Sequence, residues 1–469
     1  MHIPRDIVTK TYRPIAESAL SVIYRTKSQT VAVLEGDSAE VWDCLVRAAG
    51  NPAHALDYIR KHGQFGSDPE RESQEVLDSF LQSLELQGIA GDRGDVQKCS
   101  QGGHLADSDQ GREVERFINL WMAQHRILYS LVIELTYRCN EQCVHCYCPT
   151  SRERKELSVE SLYGLVSEYE RLGGLSLQLT GGEFFLSPHA KTLLRYLCGR
   201  GLLISISSNL TLLDEEAVDL LKDIVPRSIS CSVYSADPGV HDSITTVPGS
   251  FTRTRNGIIM LRKAGIPVVI KTPLMNQTAA GWSEVEALAI NLGSSCQFDL
   301  NITARNDGDC HPLDLRVRDE AVIRSLYATR YKRLYSHDEP IENAVGDSGD
   351  RPICGAGANG LLVAPDGTIR PCIGLPLDLG KYPSDSLESV WKTSPFYEMW
   401  GNLHMYDIPQ CRACNYRSSC TPCPGAWYVE TGSYKTPNNY TCFLARCASE
   451  SMSIADSINQ SSNMKGGVL

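Results

Sequence analysis

The sequence contains no run approaching the roughly 18 uncharged apolar residues that a membrane-spanning helix needs. Its first residues, MHIPRDIVTKTYRPIAES, hold no apolar stretch of signal-peptide length. These two absences predict a cytoplasmic protein with no membrane partner. Positive charge is also scarce, with 45 Lys and Arg against 56 Asp and Glu and a formal net charge of -11. A protein that grips nucleic acid by its phosphates needs a basic surface, so no nucleic-acid partner is expected. No repeat of solenoid length is present. What the chain has in excess is cysteine, 18 in all. A reducing compartment disfavours a disulfide framework, so these thiols point to metal, and their spacing carries the rest of the reading.

At 469 residues the chain has room for several domains. Residues 1–92 read as a small winged-helix-like unit. Two β-rich runs, Ala19–Tyr24 and Thr30–Leu34, precede Glu35-Gly36-Asp37-Ser38, a turn and helix-start signal. A helix follows with Val41, Trp42, Leu45 and Val46 on one face, then helical stretches near Pro52–Lys61 and Glu70–Gln87. Residues 93–112, rich in Gly, Asp, Ser and Gln, read as a linker. Over residues 113–335 apolar strands alternate with amphipathic helices. The strands are expected at Leu128–Leu135, Leu175–Leu179, Leu203–Ser207, Ser228–Tyr234, Val268–Thr272 and Phe298–Ile302. Such alternation predicts an α/β fold with a parallel sheet, open or closing into a partial (β/α)6 barrel, whose chemistry gathers at the carboxyl ends of the strands. Residues 336–450 are cysteine-dense, and 451–469 form a tail.

Cys139, Cys143 and Cys146 make a CxxxCxxC loop directly after the first of these strands. Three thiolates on one loop can hold three irons of a four-iron cluster and leave the fourth open. An open iron can chelate the amino and carboxylate groups of S-adenosylmethionine and pass it one electron. Zinc is the competing reading, but structural zinc wants four ligands. After the second strand comes Thr180-Gly181-Gly182-Glu183. Glycines at a strand end let backbone approach a ligand, and Glu183 adds an acceptor for its ammonium group.

Consecutive strand ends bearing CxxxCxxC and Gly-Gly-Glu closely resemble the radical S-adenosylmethionine (SAM) superfamily, over about Leu128–Lys332. The resemblance implies that Cys139, Cys143 and Cys146 bind the catalytic reducing cluster, and that Gly181, Gly182 and Glu183 contact the methionyl part of the cofactor. It further implies ribose contacts from Ser207 and Asn209, a site role for Ser232, and carboxylate or ribose contacts from Lys271 and Arg305. Ser232-Val233-Tyr234-Ser235 with His241-Asp242 has the form typical of peptide-modifying members. Where the family often places an aromatic residue before the third cysteine, this chain has His145, whose ring can stack on adenine. Cys148, just past the loop, reads as a packed thiol, because a fourth ligand would close the open iron.

Farther along stand Cys354, Cys372, Cys411, Cys414, Cys420, Cys423, Cys442 and Cys447. Cys354 and Cys372 bracket Val363–Arg370, whose Pro-Asp-Gly is a hairpin signal. On spacing alone, two zinc sites fit as well as two iron–sulfur clusters. The order resembles the SPASM extension of radical SAM enzymes, with the step to Cys423 one residue shorter than the pattern. That resemblance implies one auxiliary cluster on Cys411, Cys414, Cys420 and Cys442 and another on Cys354, Cys372 and Cys423, making three [4Fe-4S] clusters with the first. The second auxiliary cluster has either an open iron or a fourth ligand such as Cys310 or Cys447.

Residues 1–92 resemble the PqqD-like peptide-recognition element fused to enzymes that mature ribosomal peptides. The implied partner is a precursor peptide whose leader adds a strand to the module's exposed edge. The implied activity is peptide modification by hydrogen abstraction, with thioether, carbon–carbon or carbon–oxygen crosslinking ranked ahead of epimerisation. An electron donor such as a flavodoxin or ferredoxin is expected. A zinc-containing peptide-binding scaffold and a winged-helix redox regulator are the non-enzyme alternatives.

Overall fold

The computed structural model describes residues 7–14, 18–26, 30–47, 53–63, 68–86, 109–151, 155–334, 353–401 and 403–463. Most of the expected linker, Cys99 and the end of the expected tail lie outside them. Three strands, β1 (Ile7–Tyr12), β2 (Leu20–Arg25) and β3 (Thr30–Glu35), form an antiparallel sheet in that order. Helices α1 (Asp37–Arg47), α2 (Ala53–His62) and α3 (Pro69–Leu86) follow, with Val41, Trp42 and Leu45 buried as their spacing predicts. Strand β1 was not expected from the sequence. Tertiary contacts supply its anchors: Lys10 Nζ donates to the carbonyls of Glu170 and Gly174, each at 3.0 Å, and Tyr12 OH donates to that of Gly173 at 3.1 Å.

A helix the sequence reading also lacked, α4 (Asp109–Gln124), leads into the main sheet. Its Ile118 and Met122 pack with Tyr12, Leu20, Val22 and Tyr24 against Tyr129, Leu175 and Leu203, at the amino ends of three barrel strands. The N-terminal module therefore sits at the end of the barrel opposite the CxxxCxxC loop.

The barrel alternates as expected: β4 (Ser130–Glu134), α5 (Val159–Arg171), β5 (Ser176–Thr180), α6 (Ala190–Leu197), β6 (Leu203–Ser207), α7 (Glu215–Ile224) and β7 (Ser228–Ser232). Next come α8 (Pro238–Thr245), α9 (Ser250–Lys263), β8 (Val268–Pro273), α10 (Trp282–Asn291), β9 (Ser295–Asp299) and α11 (Glu320–Leu334). Strands β4 to β9 are parallel neighbours in sequence order. The last strand lies three residues earlier than the expected Phe298–Ile302. Leu300 and Ile302 extended the apolar pattern, but both are buried in packing beyond the strand end.

The two faces of this sheet differ in kind. Ile133, Leu179, Ile206, Cys231 and Ile270 point into the core beneath the helices. The in-register rows of the other face carry Gln178 and Ser205, Ser207 and Ser230, then Ser232, Lys271 and Gln297. Val132 and Val269 share these rows, but the face is otherwise polar, which suits a polar ligand better than hydrocarbon.

The cysteine-dense segment extends the same sheet. Strand β10 (Gly360–Val363) pairs in parallel with β4, and β11 (Thr368–Arg370) and β12 (Gly380–Lys381) complete a nine-stranded sheet. The Pro-Asp-Gly hairpin expected between Val363 and Arg370 is the β10–β11 turn. Short helices α12 (Leu387–Thr393), α13 (Pro395–Gly401), α14 (Pro409–Arg412) and α15 (Pro424–Thr431) precede the long α16 (Asn439–Asn463). One hydrophobic core runs through barrel and extension, from Leu128 to Trp427. No helix among the described residues is long and apolar enough to cross a membrane.

Candidate active site at the carboxyl ends of the strands

The loop after β4 is held at both ends and in its middle. Glu134, the last residue of β4, is buried and accepts hydrogen bonds from Tyr137 OH at 3.0 Å and Tyr147 OH at 2.7 Å. These two tyrosines bracket Cys139, Cys143 and Cys146. In the middle, the N–H groups of Gln142 and Val144 donate to the last carbonyls of α8, Thr245 at 3.0 Å and Ile244 at 3.1 Å. Asn140 donates to Thr211 Oγ1 at 2.7 Å and accepts from Asn209 Nδ2 at 2.9 Å. Cys143 lies within electrostatic reach of both Cys139 and Cys146. Burial, joined by the nearby Glu141 carboxylate, pushes the Cys143 thiol well up. Glu141 sits between two of the thiols: its N–H donates to Cys139 Sγ at 3.4 Å, and its Oε2 lies 3.6 Å from Cys143 Sγ. Burial raises its own carboxyl to about 7.

The Gly181-Gly182-Glu183 turn crosses directly over this loop. A Cβ on Gly181, whose φ is +146°, would fall 2.4 Å from Thr136 O, and one on Gly182 2.4 Å from Arg138 O. The glycines are thus required by the chain's own backbone, where the sequence reading had cited only the approach of a ligand. Glu183 is likewise held by the chain itself. It is fully buried, and its carboxylate accepts from Asn209 N at 2.6 Å, Ser208 Oγ at 2.7 Å and Phe185 N at 2.9 Å. Burial nonetheless leaves its carboxyl above the usual range, against the pull of those donors. The carboxylate locks the end of β5 to the end of β6.

The other expected site residues divide into two groups. Ser207, Ser232 and Lys271 share the polar inner face, with Ser207 Oγ accepting from Gln178 Nε2 at 3.3 Å. Lys271 is exposed, and partial desolvation by its neighbours lowers its ammonium although Asp299 opposes it. Arg305 lies six residues past the end of β9 because that strand ends early. It pairs with Asp309 at 3.0 Å and donates to Cys148 O at 3.4 Å, so it braces the segment after the cysteine loop. Cys148 itself is buried among Tyr137, Leu362 and Ala364.

Sequence reasoning did not single out Glu134, Asn140, Glu141 or Thr211. The signal for Glu134 was an acid closing an apolar strand; nothing local marked the others. Tyr234 is buried at the end of β7, its OH donating to Cys143 Sγ at 3.5 Å. His145 meets its ring edge-on, 4.9 Å between centroids. Burial, with Arg305 nearby, lowers His145 to about 4, and its buried Nδ1 has no hydrogen-bond partner among the described residues.

In the extension the thiols assemble in two places. Cys354, Cys372 and Cys423 lie within electrostatic reach of one another, and so do Cys411, Cys414 and Cys442. Burial pushes Cys372 up to about 12 and Cys411 up to about 11. Thiols sequestered in this way keep their protons until a cation displaces them, as iron does on binding. Among the described residues no three His, Cys, Asp or Glu side chains converge as on a single metal ion. In a polynuclear cluster each thiolate ligates a different iron. Cys447 is sealed in the apolar packing of α11 and α16, while Cys310 is exposed beside Gly308.

Parts of the chain that carry these residues resemble known families. Residues 133–288 match the radical SAM superfamily and residues 354–415 match SPASM, an iron–sulfur cluster-binding domain. The AdoMet-dependent heme synthase of Methanosarcina barkeri is 27% identical over 66% of this chain and 95% of its own length. The antilisterial bacteriocin subtilosin biosynthesis protein AlbA of Bacillus subtilis is 28% identical over 57% of this chain, which spans 60% of that relative. Streptococcus suis SuiB, solved bound to its precursor peptide SuiA, superimposes with a TM-score of 0.62 at 16% identity. That match covers 94% of this chain and 99% of SuiB.

Proposed function

The chain is a radical SAM superfamily enzyme with a SPASM domain, and from that premise we propose that it modifies a ribosomally made precursor peptide by oxidative crosslinking. The observation that carries the peptide reading is the N-terminal module, which lies outside both matched segments. Among the described residues β3 pairs only with β2, so its other edge is open. That edge borders a cleft of about 420 Å³ lined by Val33, Leu34, Glu35, Ser38 and Phe117 of α4. An added peptide strand would satisfy the free backbone groups of β3 and lay side chains against Phe117, which is 41% exposed. On this reading residues 1–92 recognise the leader, 113–335 form the catalytic barrel and 336–450 carry the auxiliary clusters.

In the proposed site Cys139, Cys143 and Cys146 hold the reducing cluster, and two further clusters sit on the thiol groups of the extension, three in all. Cys411, Cys414, Cys420 and Cys442 take one of these, and Cys354, Cys372 and Cys423 the other. The clusters, when bound, would supply one electron for reductive cleavage of S-adenosylmethionine to a hydrogen-abstracting radical, and would take up the one electron left, with a proton lost from the second residue, when the crosslink replaces two X–H bonds. A flavodoxin or ferredoxin supplies the first electron. The chain's own contribution is positional. Gly181 and Gly182 seat the turn against the cysteine loop, His145 presents a neutral ring with a nitrogen unpartnered among the described residues, and Ser207, Ser232 and Lys271 line the polar interior. Asn209 fixes the cysteine loop through Asn140. A thioether, carbon–carbon or carbon–oxygen bond all fit this scheme.

Because the leader edge and the cysteine loop lie at opposite ends of the barrel, the peptide must pass its full depth. Strand β4 alone has 5 residues, about 17 Å. At least about five extended residues must separate the bound leader from the modified residue. The direct test is co-expression with any short reading frame found beside this gene, followed by mass spectrometry of the peptide. Loss of two hydrogens per bond is expected; an unchanged mass would refute crosslinking. Replacing Phe117 by Lys is expected to weaken leader binding about tenfold, or about 1.4 kcal/mol, measured by fluorescence anisotropy of a labelled leader.

A further inference from the structure

The end of β7 approaches the CxxxCxxC loop through one side chain. Tyr234 is 4% exposed, and its hydroxyl donates to Cys143 Sγ at 3.5 Å. The ring is held from two sides. His145 packs edge-on at 4.9 Å, and His241 lies at 5.2 Å, itself against Phe251 at 5.5 Å. The backbone is fixed as well, because Tyr234 N–H donates to His241 Nδ1 at 3.3 Å. Asp242 anchors this assembly by accepting from Ser250 Oγ and from the N–H groups of Gly249 and Phe251 at the start of α9. A tyrosine so constrained cannot rotate its hydroxyl away from the sulfur without moving the helix that also pins Gln142 and Val144.

A hydrogen bond to a cluster sulfur favours the reduced, more negative state, because the donor stabilises the added charge. We propose that Tyr234 is a positioning residue that raises the reduction potential of the cluster on Cys143, with His241 as its backbone support. The proposal rests on the reading of Cys143 as a cluster ligand. No other hydroxyl among the described contacts reaches that sulfur.

The experiment is an electron paramagnetic resonance redox titration of the full chain after anaerobic reconstitution. It follows the signal that changes on adding S-adenosylmethionine. Tyr234→Phe keeps the ring and removes the donor, and is expected to shift the midpoint to a more negative potential with iron and sulfide per chain unchanged. Placing 3-fluorotyrosine at position 234 makes a stronger donor and is expected to shift it the other way, which keeps the test informative if the Phe variant loads poorly. A midpoint unmoved by the substitutions overturns the proposal. Cys143→Ala separates the two readings: if the S-adenosylmethionine-responsive signal survives it, the ligand reading itself fails. If that signal vanishes while the Tyr234 changes move nothing, the ligand reading stands and the tuning role does not.

Discussion

Replacing Cys143 by Ala is expected to remove one four-iron cluster, about four irons per chain, and to abolish formation of 5′-deoxyadenosine. The thiol is the middle one of three on a loop whose backbone is pinned by Gln142 and Val144 to the end of α8, so a neighbouring residue cannot slide into its place. The effect on folding is expected to be small, because the loop keeps its bonds through Glu134, Asn140 and Thr211. Cys148→Ala is the matched control. That thiol is equally close in sequence but packs among Tyr137, Leu362 and Ala364, so its loss is expected to cost about 1 kcal/mol of cavity energy and no iron. Iron and sulfide assays on the two variants decide the matter. Equal iron loss in both would mean that the loop's packing, and not its ligand set, governs loading.

Some of this fold is legible in the sequence alone. CxxxCxxC declares itself by spacing, and strand ends β4 to β8 followed from apolar runs ended by polar residues. The alternation of Val268 to Thr272 needs no tertiary information. What escaped was whatever depends on partners distant in sequence. Strand β1, IVTKTY, has few apolar residues of its own and is held by carbonyls some 160 positions away. Strand β10 reads locally as half a hairpin, and only the assembled sheet pairs it with β4. The last barrel strand was misplaced because Leu300 and Ile302 are apolar for a different core. In the site, Glu134 and Asn140 matter through residues that only folding brings near. Glu183 is the sharpest case. A carboxylate after two glycines at a strand end suggests a ligand contact, but nothing local announces its bonds to Ser208 and Asn209, a strand away, and to Phe185.

Those bonds make Glu183 the second substitution with a large expected effect. Glu183→Ala removes the acceptor for Phe185 N–H, Ser208 O–H and Asn209 N–H in a pocket with no exposed surface. A buried donor left unsatisfied costs about 1–3 kcal/mol, and partial entry of water reduces the sum, so a destabilisation of about 4 kcal/mol is expected. Glu183→Gln keeps the shape and one carbonyl oxygen but turns an amide N–H toward a donor, and is expected to cost about 2 kcal/mol. Urea unfolding of both variants, followed by tryptophan fluorescence, measures the order. Asn209 is bonded to Glu183 through its N–H and to Asn140 through its side chain, so loosening it frees the cysteine loop. S-adenosylmethionine affinity is therefore expected to fall in parallel with stability. If Glu183→Ala instead unfolds at the parent's urea concentration while S-adenosylmethionine binding is lost, the carboxylate is a direct ligand contact and the lock between β5 and β6 is not its role.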